Sequence, residues 1–213
     1  MGILFDMDGV IADTNPFHKI SIQEFCTRHK IEASDEFLRE KVYGRVNREW
    51  IPNLFGKLSI TEVETLAAEK EQLFRELYAP HLKPVEGLLD FLQMLQENKI
   101  KAAVATSAPF ENAEFILSGL EISHYFQAVL HSADVEQGKP HPEIYLKAAA
   151  ALNEFPANCI VIEDSIAGVQ AGRTAGCKVI AITTTHQQEE FDPVEKVIAE
   201  FAGLGVEQLE KLW

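Results

Sequence analysis

The stretch that decides the fold is Gly2-Ile3-Leu4-Phe5-Asp6-Met7-Asp8-Gly9-Val10. Ile3, Leu4 and Phe5 form an unbroken apolar run, the pattern of a strand covered on both faces of a sheet. Two carboxylates one residue apart and a glycine follow at once, with no basic residue beside them in sequence. Acids at the end of a buried strand need a cation, a reaction, or both.

Working outward, short apolar runs of the same kind recur at 102–105, 128–131, 159–162 and 179–182, with a weaker one over 197–201. Helical patterns separate them at 87–98, 112–120 and 143–152. Strand alternating with helix predicts an α/β fold, a doubly wound parallel sheet with right-handed crossovers. Residues 14–81 break the rhythm and read as amphipathic helices, with Ser34 and Thr61 as N-caps followed by acids. An all-helical domain, 14–81, is therefore expected inside a core domain made of 1–13 and 82–213. Pro80 and Pro84 mark the return to the core.

The chain has 213 residues, 46% of them hydrophobic and 24% charged, and a formal net charge of -14. That balance argues against nucleic acid, which needs basic surface. It permits small phosphorylated ligands, which need positive charge only locally. No apolar run approaches a membrane span. No basic region precedes the first apolar stretch, which Asp6 interrupts. Cys26, Cys159 and Cys177 share no metal-ligand spacing and read as reduced packing thiols. The expectation is a cytoplasmic monomer that binds neither nucleic acid nor membrane.

In a doubly wound sheet the strand ends open on one crevice. Asp6 and Asp8 follow the first run, Thr106 and Ser107 the second; Lys139 lies beyond the third, and Glu163 and Asp164 close the fourth. Carboxylates gathered there repel one another unless a hard divalent cation joins them, and Mg2+ suits a few carboxylate oxygens plus water. A carboxylate of this kind can attack phosphorus and form an aspartyl-phosphate. The metal and a lysine would neutralise the phosphoryl group, while a second carboxyl gives and takes a proton.

These residues, Asp6-Met7-Asp8-Gly9-Val10, Thr106-Ser107, Lys139-Pro140 and Glu163-Asp164-Ser165, resemble the four motifs of the haloacid dehalogenase superfamily. The tracts GKPHPEIYLKAA (138–149) and VIEDSIAGVQAGRTAGCKVIAI (161–182) are similar to its β-phosphoglucomutase-like branch, which carries a helical cap after the first core strand. The resemblance implies Asp6 as nucleophile and Asp8 as general acid/base with its backbone carbonyl on Mg2+. It implies Asp164 as a metal ligand, Glu163 as a ligand or one shell out, Ser107 on the phosphoryl oxygens beside Thr106, and Lys139 against nucleophile and phosphoryl group. The metal ligands so implied are Asp6, Asp8, Glu163 and Asp164.

The implied activity is a Mg2+-dependent phosphohydrolase acting on a small phosphorylated metabolite. A β-phosphoglucomutase or an inorganic pyrophosphatase is the alternative, and a binding module with dead catalysis is the non-enzymatic one. Substrate-binding candidates are Thr106, His18, Gly44, Arg45, Arg48, Lys70 and Asn112. Gly44-Arg45-Val46-Asn47-Arg48 matches in position a substrate-selecting cap loop, and either arginine suits a second anion. Each also has a plain reading: His18 as a packed histidine, the arginines and Lys70 as surface charges, Asn112 as the start of a helix. Ala108-Pro109-Phe110-Glu111 departs from the mutases of this branch, which counts against mutase activity.

Overall fold

The structure is a computed structural model that describes residues 1–43, 45–191 and 193–212. The expected runs become β1 (Gly2–Phe5), β2 (Lys101–Ala105), β3 (Ala128–Leu130), β4 (Cys159–Glu163), β5 (Lys178–Ile182) and β6 (Lys196–Ile198). They form one sheet, parallel throughout, in the order β3-β2-β1-β4-β5-β6. β1 is central and pairs with β2 on one side and β4 on the other, so the winding reverses between β1 and β4. That reversal is where a parallel sheet opens a ligand crevice at its carboxyl edge.

Side chains along β1 alternate between two packed layers, as the period of a strand requires. Leu4 points into a layer built with Ala103, Val161, Val179 and residues of two helices, α7 (Glu143–Ala151) and α8 (Ile166–Thr174). Phe5 points the other way, with ring contacts to Phe91, Phe126 and Phe201. Phe91 belongs to α5 (Leu88–Glu97), while α6 (Phe110–Gly119) crosses from β2 to β3 and α9 (Val206–Glu210) ends the chain.

Several boundaries differ from the sequence expectation. β4 runs one residue further, so Glu163 is itself a strand residue. β6 lies at 196–198, not 197–201, and both edge strands β3 and β6 are only half-buried, because an edge has one neighbour instead of two. α6 starts at Phe110 after the fixed φ of Pro109, not at Asn112, which sits fully buried in the first turn.

The chain divides into two compact units, Met1–Asp13 with Leu82–Trp213, and Thr14–His81. The second contains α1 (Asn15–Arg28), α2 (Asp35–Lys41), α3 (Asn47–Phe55) and α4 (Ile60–Tyr78) around Phe25, Trp50, Ile51 and Leu73. Ser34 caps α2 as expected, its hydroxyl accepting from the Phe37 N–H. The cap of α4 is Ser59, not Thr61: its side chain accepts from Glu62 N, and the Glu62 carboxylate accepts from Ser59 N at 2.7 Å. α3 is an element the sequence reading did not place; it carries Pro52 inside it.

Candidate active site

Asp6 leaves β1 directly beside the end of β4, its N–H donating to Ile162 O at 3.0 Å. The next turn is closed by Gly9 at φ +76°, a backbone region that favours glycine. Its N–H donates to Ala12 O at 2.7 Å, and its carbonyl accepts from the Thr184 hydroxyl at 2.6 Å. The carboxylates of Asp6, Glu163 and Asp164 are buried and offer oxygens within 4.8 Å of one another. Asp8 is half-buried and its side chain is not part of that group.

Lys139 lies at this edge, on the loop after β3. Its ammonium donates to Asp6 Oδ1 at 2.5 Å, to Glu163 Oε1 at 2.7 Å and to Ala105 O, the last carbonyl of β2, at 3.1 Å. It also lies 4.8 Å from the centre of the Tyr145 ring. Burial alone would lower its pKa, but the Asp6 and Glu163 carboxylates raise it above the ordinary lysine range. Lys139 is therefore a fixed cation, bound to three of the strand ends.

The three acids respond differently to one environment. Burial raises Asp6 well above the usual carboxylate value, helped by its acidic neighbours and opposed by Lys139. Burial and the Glu163 charge push Asp164 up to about 7. Burial would raise Glu163 too, yet the Lys139 charge and its hydrogen bonds hold it below the usual range. Glu163 accepts hydrogen bonds on both of its oxygens. Oε1 accepts from Lys139 and from the Tyr145 hydroxyl, each at 2.7 Å. Oε2 accepts from Asp164 N, Ser165 N and Ser165 Oγ at 2.9–3.0 Å. Ser165 also caps α8, accepting from Gly168 N at 3.0 Å.

The hydroxyl pair after β2 splits. Thr106 is fully buried, and its hydroxyl accepts from Ala108 N at 3.0 Å. Ser107 is exposed at the same strand end. On the far side, the Thr185 hydroxyl hydrogen-bonds Asp164 Oδ2. Thr184 and Thr185 were missed by sequence reasoning, although a run of threonines directly after β5 is the same signal as Thr106 and Ser107 after β2. Tyr145 was missed because its place in a helix reads as packing.

The remaining candidates lie in the helical unit, apart from Asn112, which is buried in α6. Lys70 is 3% exposed and is not a surface charge. Its ammonium donates to His18 Nδ1 at 2.9 Å and to Glu71 Oε1 at 2.9 Å, and His18 stacks on Phe74 at 3.8 Å. Asn47 Nδ2 donates to Glu71 Oε1 at 2.7 Å, and Trp50 Nε1 to Asn47 Oδ1 at 3.0 Å. Burial of Glu71 is outweighed by Lys70 and His18, leaving its carboxyl at about 2. Arg45 and Arg48 are exposed, with Arg45 Nη2 donating to Glu40 O at 3.2 Å. Gly44 lies outside the described residues.

The strand-end groups of this core, acid pair, hydroxyls, lysine and acid pair, lie within the part of the chain that a family model matches. The model for haloacid dehalogenase-like hydrolases covers residues 3–182. The chain belongs to that family. It is 33% identical over 183 residues to the phosphorylated carbohydrates phosphatase of Thermotoga maritima, covering 84% of this chain and 82% of that one. It is 29% identical to the β-phosphoglucomutase of Bacillus subtilis over 99% of this chain and 94% of that one, which places it in the β-phosphoglucomutase-like branch. Among solved structures, a family IA, variant 3 hydrolase from Entamoeba histolytica superposes with a TM-score of 0.90 at 26% identity, over 99% of this chain and 98% of that one. The expected enzyme, a haloacid dehalogenase-like hydrolase, and the doubly wound core both hold. No described helix is long and apolar enough to cross a membrane.

The acidic cluster of Asp6, Glu163 and Asp164 fits a divalent cation. The donors are hard oxygens, as Mg2+ prefers. Three carboxylates, Asp6, Glu163 and Asp164, lie together, and one ammonium, Lys139, bonds two of them, Asp6 and Glu163. Asp6 and Asp164 have raised pKa values, first from burial and then from the neighbouring carboxylates.

Proposed function

We propose that the protein is a Mg2+-dependent phosphoric monoester hydrolase acting on a small phosphorylated metabolite through an aspartyl-phosphate on Asp6. The observation that carries this reading is Asp6 itself, a buried carboxylate at the reversal of the sheet, held at 2.5 Å by Lys139 and flanked by Glu163 and Asp164. The Asp6 carboxylate attacks phosphorus as the bond to the ester oxygen breaks, and Asp8 gives that oxygen its proton. Asp8, now ionised, takes a proton from water as the water attacks the phosphorus of the acyl phosphate. Phosphate leaves and Asp6 is restored.

Lys139 balances charge on the phosphoryl oxygens, and Thr106 and Ser107 bring hydroxyls to the same strand edge. Bound Mg2+ supplies the remaining positive charge to the phosphoryl oxygens and keeps the carboxylates ionised. Asp6, Asp164 and the Asp8 carbonyl would hold it, with Glu163 beside them. In the helical unit, Arg45 or Arg48 would meet a second anionic group of the substrate. His18 and Lys70 are assigned to substrate contact as a pair, and Asn112 as a core contact.

The T. maritima relative supports phosphorylated carbohydrates as the first substrate class to test. The B. subtilis relative favours a second reading, a sugar-phosphate mutase. Ala108-Pro109-Phe110-Glu111, where mutases carry a different pattern, counts against it. A phosphate-release screen over sugar phosphates, nucleotides and pyrophosphate with Mg2+, run beside Asp6→Asn, tests the proposal. Turnover of one or a few monoesters, lost in Asp6→Asn, is the expected result. Turnover that survives Asp6→Asn overturns it. No phosphate release, but conversion of β-glucose 1-phosphate with a bisphosphate primer, would move the protein to the mutase reading.

A further inference from the structure

Tyr145 is buried, and its two chemical parts touch the same cluster. The hydroxyl donates to Glu163 Oε1 at 2.7 Å, and the ring face lies 4.8 Å from the Lys139 ammonium. The hydroxyl is the donor of this bond, because a carboxylate oxygen accepts. Glu163 Oε1 is thereby shared between Tyr145 and Lys139, while Oε2 is filled by Asp164 N, Ser165 N and Ser165 Oγ. A carboxylate has about four lone-pair sites, so five donors saturate it. Glu163 cannot turn toward a cation without giving up a donor. It serves instead as the anchor of Lys139, and the ring holds the ammonium from a second direction by cation–π attraction.

We propose that Tyr145 is a positioning residue for Lys139: its hydroxyl fixes the Glu163 carboxylate and its ring fixes the ammonium, so that the lysine is aimed at Asp6. This deepens the phosphohydrolase reading and rests on it for its kinetic part. Tyr145→Phe keeps the ring and removes the hydroxyl; Tyr145→Leu removes both.

The first readout needs no turnover. In ammonium-selective 1H–15N spectra of the metal-free protein, Lys139 is expected to give a slowly exchanging, ring-shifted signal, identified by its absence in Lys139→Met. Tyr145→Phe should speed its exchange severalfold and keep the ring shift, and Tyr145→Leu should lose both. The second readout is kinetic. Tyr145→Phe should lower kcat about tenfold and Tyr145→Leu about a hundredfold, with KM and Mn2+ affinity, followed by electron paramagnetic resonance, within twofold of wild type. A merely structural tyrosine would lower the melting temperature and leave kcat of the folded protein alone. A Tyr145→Phe variant with an unchanged Lys139 signal, or with kcat reduced less than threefold in an active wild-type background, overturns the proposal. A wild type that shows the Lys139 signal yet releases no phosphate from any ester defeats the phosphohydrolase reading and not the positioning of the lysine.

Discussion

Gly168 sits in the first turn of α8 directly against the Glu163 carboxylate. A Cβ at this position would lie 1.7 Å from Glu163 Oε1, 1.9 Å from Cδ and 2.3 Å from Oε2. Two effects of Gly168→Ala have opposite signs. Helix propensity alone favours alanine by about 1 kcal/mol. Against that, Glu163 has nowhere to retreat, since Lys139 and Tyr145 hold one oxygen and Asp164 and Ser165 hold the other. Moving the carboxylate breaks at least two bonds to a charged acceptor, each about 1.5–3 kcal/mol. Moving α8 far enough to clear a 1.7 Å contact disturbs Val169 and Ala171, both buried, and costs about 3 kcal/mol, the upper end of the overpacking range. The steric side wins, and the net loss is about 2–5 kcal/mol once the roughly 1 kcal/mol of propensity is returned. At about 2–4 °C per kcal/mol for a chain of this size, the melting temperature falls by roughly 4–20 °C. Calorimetric melts of both proteins, with turnover of an aryl phosphate alongside, read the effect. A variant that melts at or above wild type and keeps its turnover refutes the reasoning, because Glu163 would then not be pinned where it is described.

Removing the Lys139 ammonium in Lys139→Met leaves buried carboxylates unpaired; the loss should be about 3–5 kcal/mol in metal-free melts, and Lys139→Arg should not restore activity. Asp164, raised from 3.8 to about 7, binds its proton more tightly in the folded than in the unfolded state. The metal-free protein therefore loses stability as pH rises from about 4 to about 7, on the order of a few kcal/mol. Melting with EDTA should be higher at pH 5 than at pH 8, and Mg2+ should raise the pH 8 value more; the reverse order would count against the acidic cluster. Glu71, lowered from 4.5 to about 2, has the opposite sign. Its contribution is present above pH 4.5 and fades as pH falls toward 2. Glu71→Gln should cost about 3 kcal/mol at pH 7, with the gap to wild type narrowing at pH 3. Arg45→Ala and Arg48→Ala should raise KM for an anionic substrate with kcat little changed, and equal losses in both variants for a neutral-tailed ester would argue that neither contacts substrate.

The core site was legible because its logic is topological. Asp6 and Lys139 are 133 residues apart, yet parallel strands that all end at one edge bring them to 2.5 Å. Only residue types and strand ends are needed to reach that conclusion. Orientation is a different matter. Nothing in the residues 143–151 distinguishes a tyrosine that packs from one whose hydroxyl meets a carboxylate 18 residues further on. Glu71 reads as one more charge on a long helix; its burial comes from α1 and α3 packing on α4. Local signals fail in the same way when two of them compete. Ser59 with Glu62 and Thr61 with Glu64 both match a capping box, and both lie at the start of the same helical pattern. Ile60, between them, is 79% exposed and offers no core contact to choose the register. The chain starts its helix at the earlier serine, where Glu62 bonds both the N–H and the hydroxyl of Ser59. Which edge a group reaches follows from the order of strands. What it does there follows from the partners that take up its lone pairs, and those become visible only when the helices are in place.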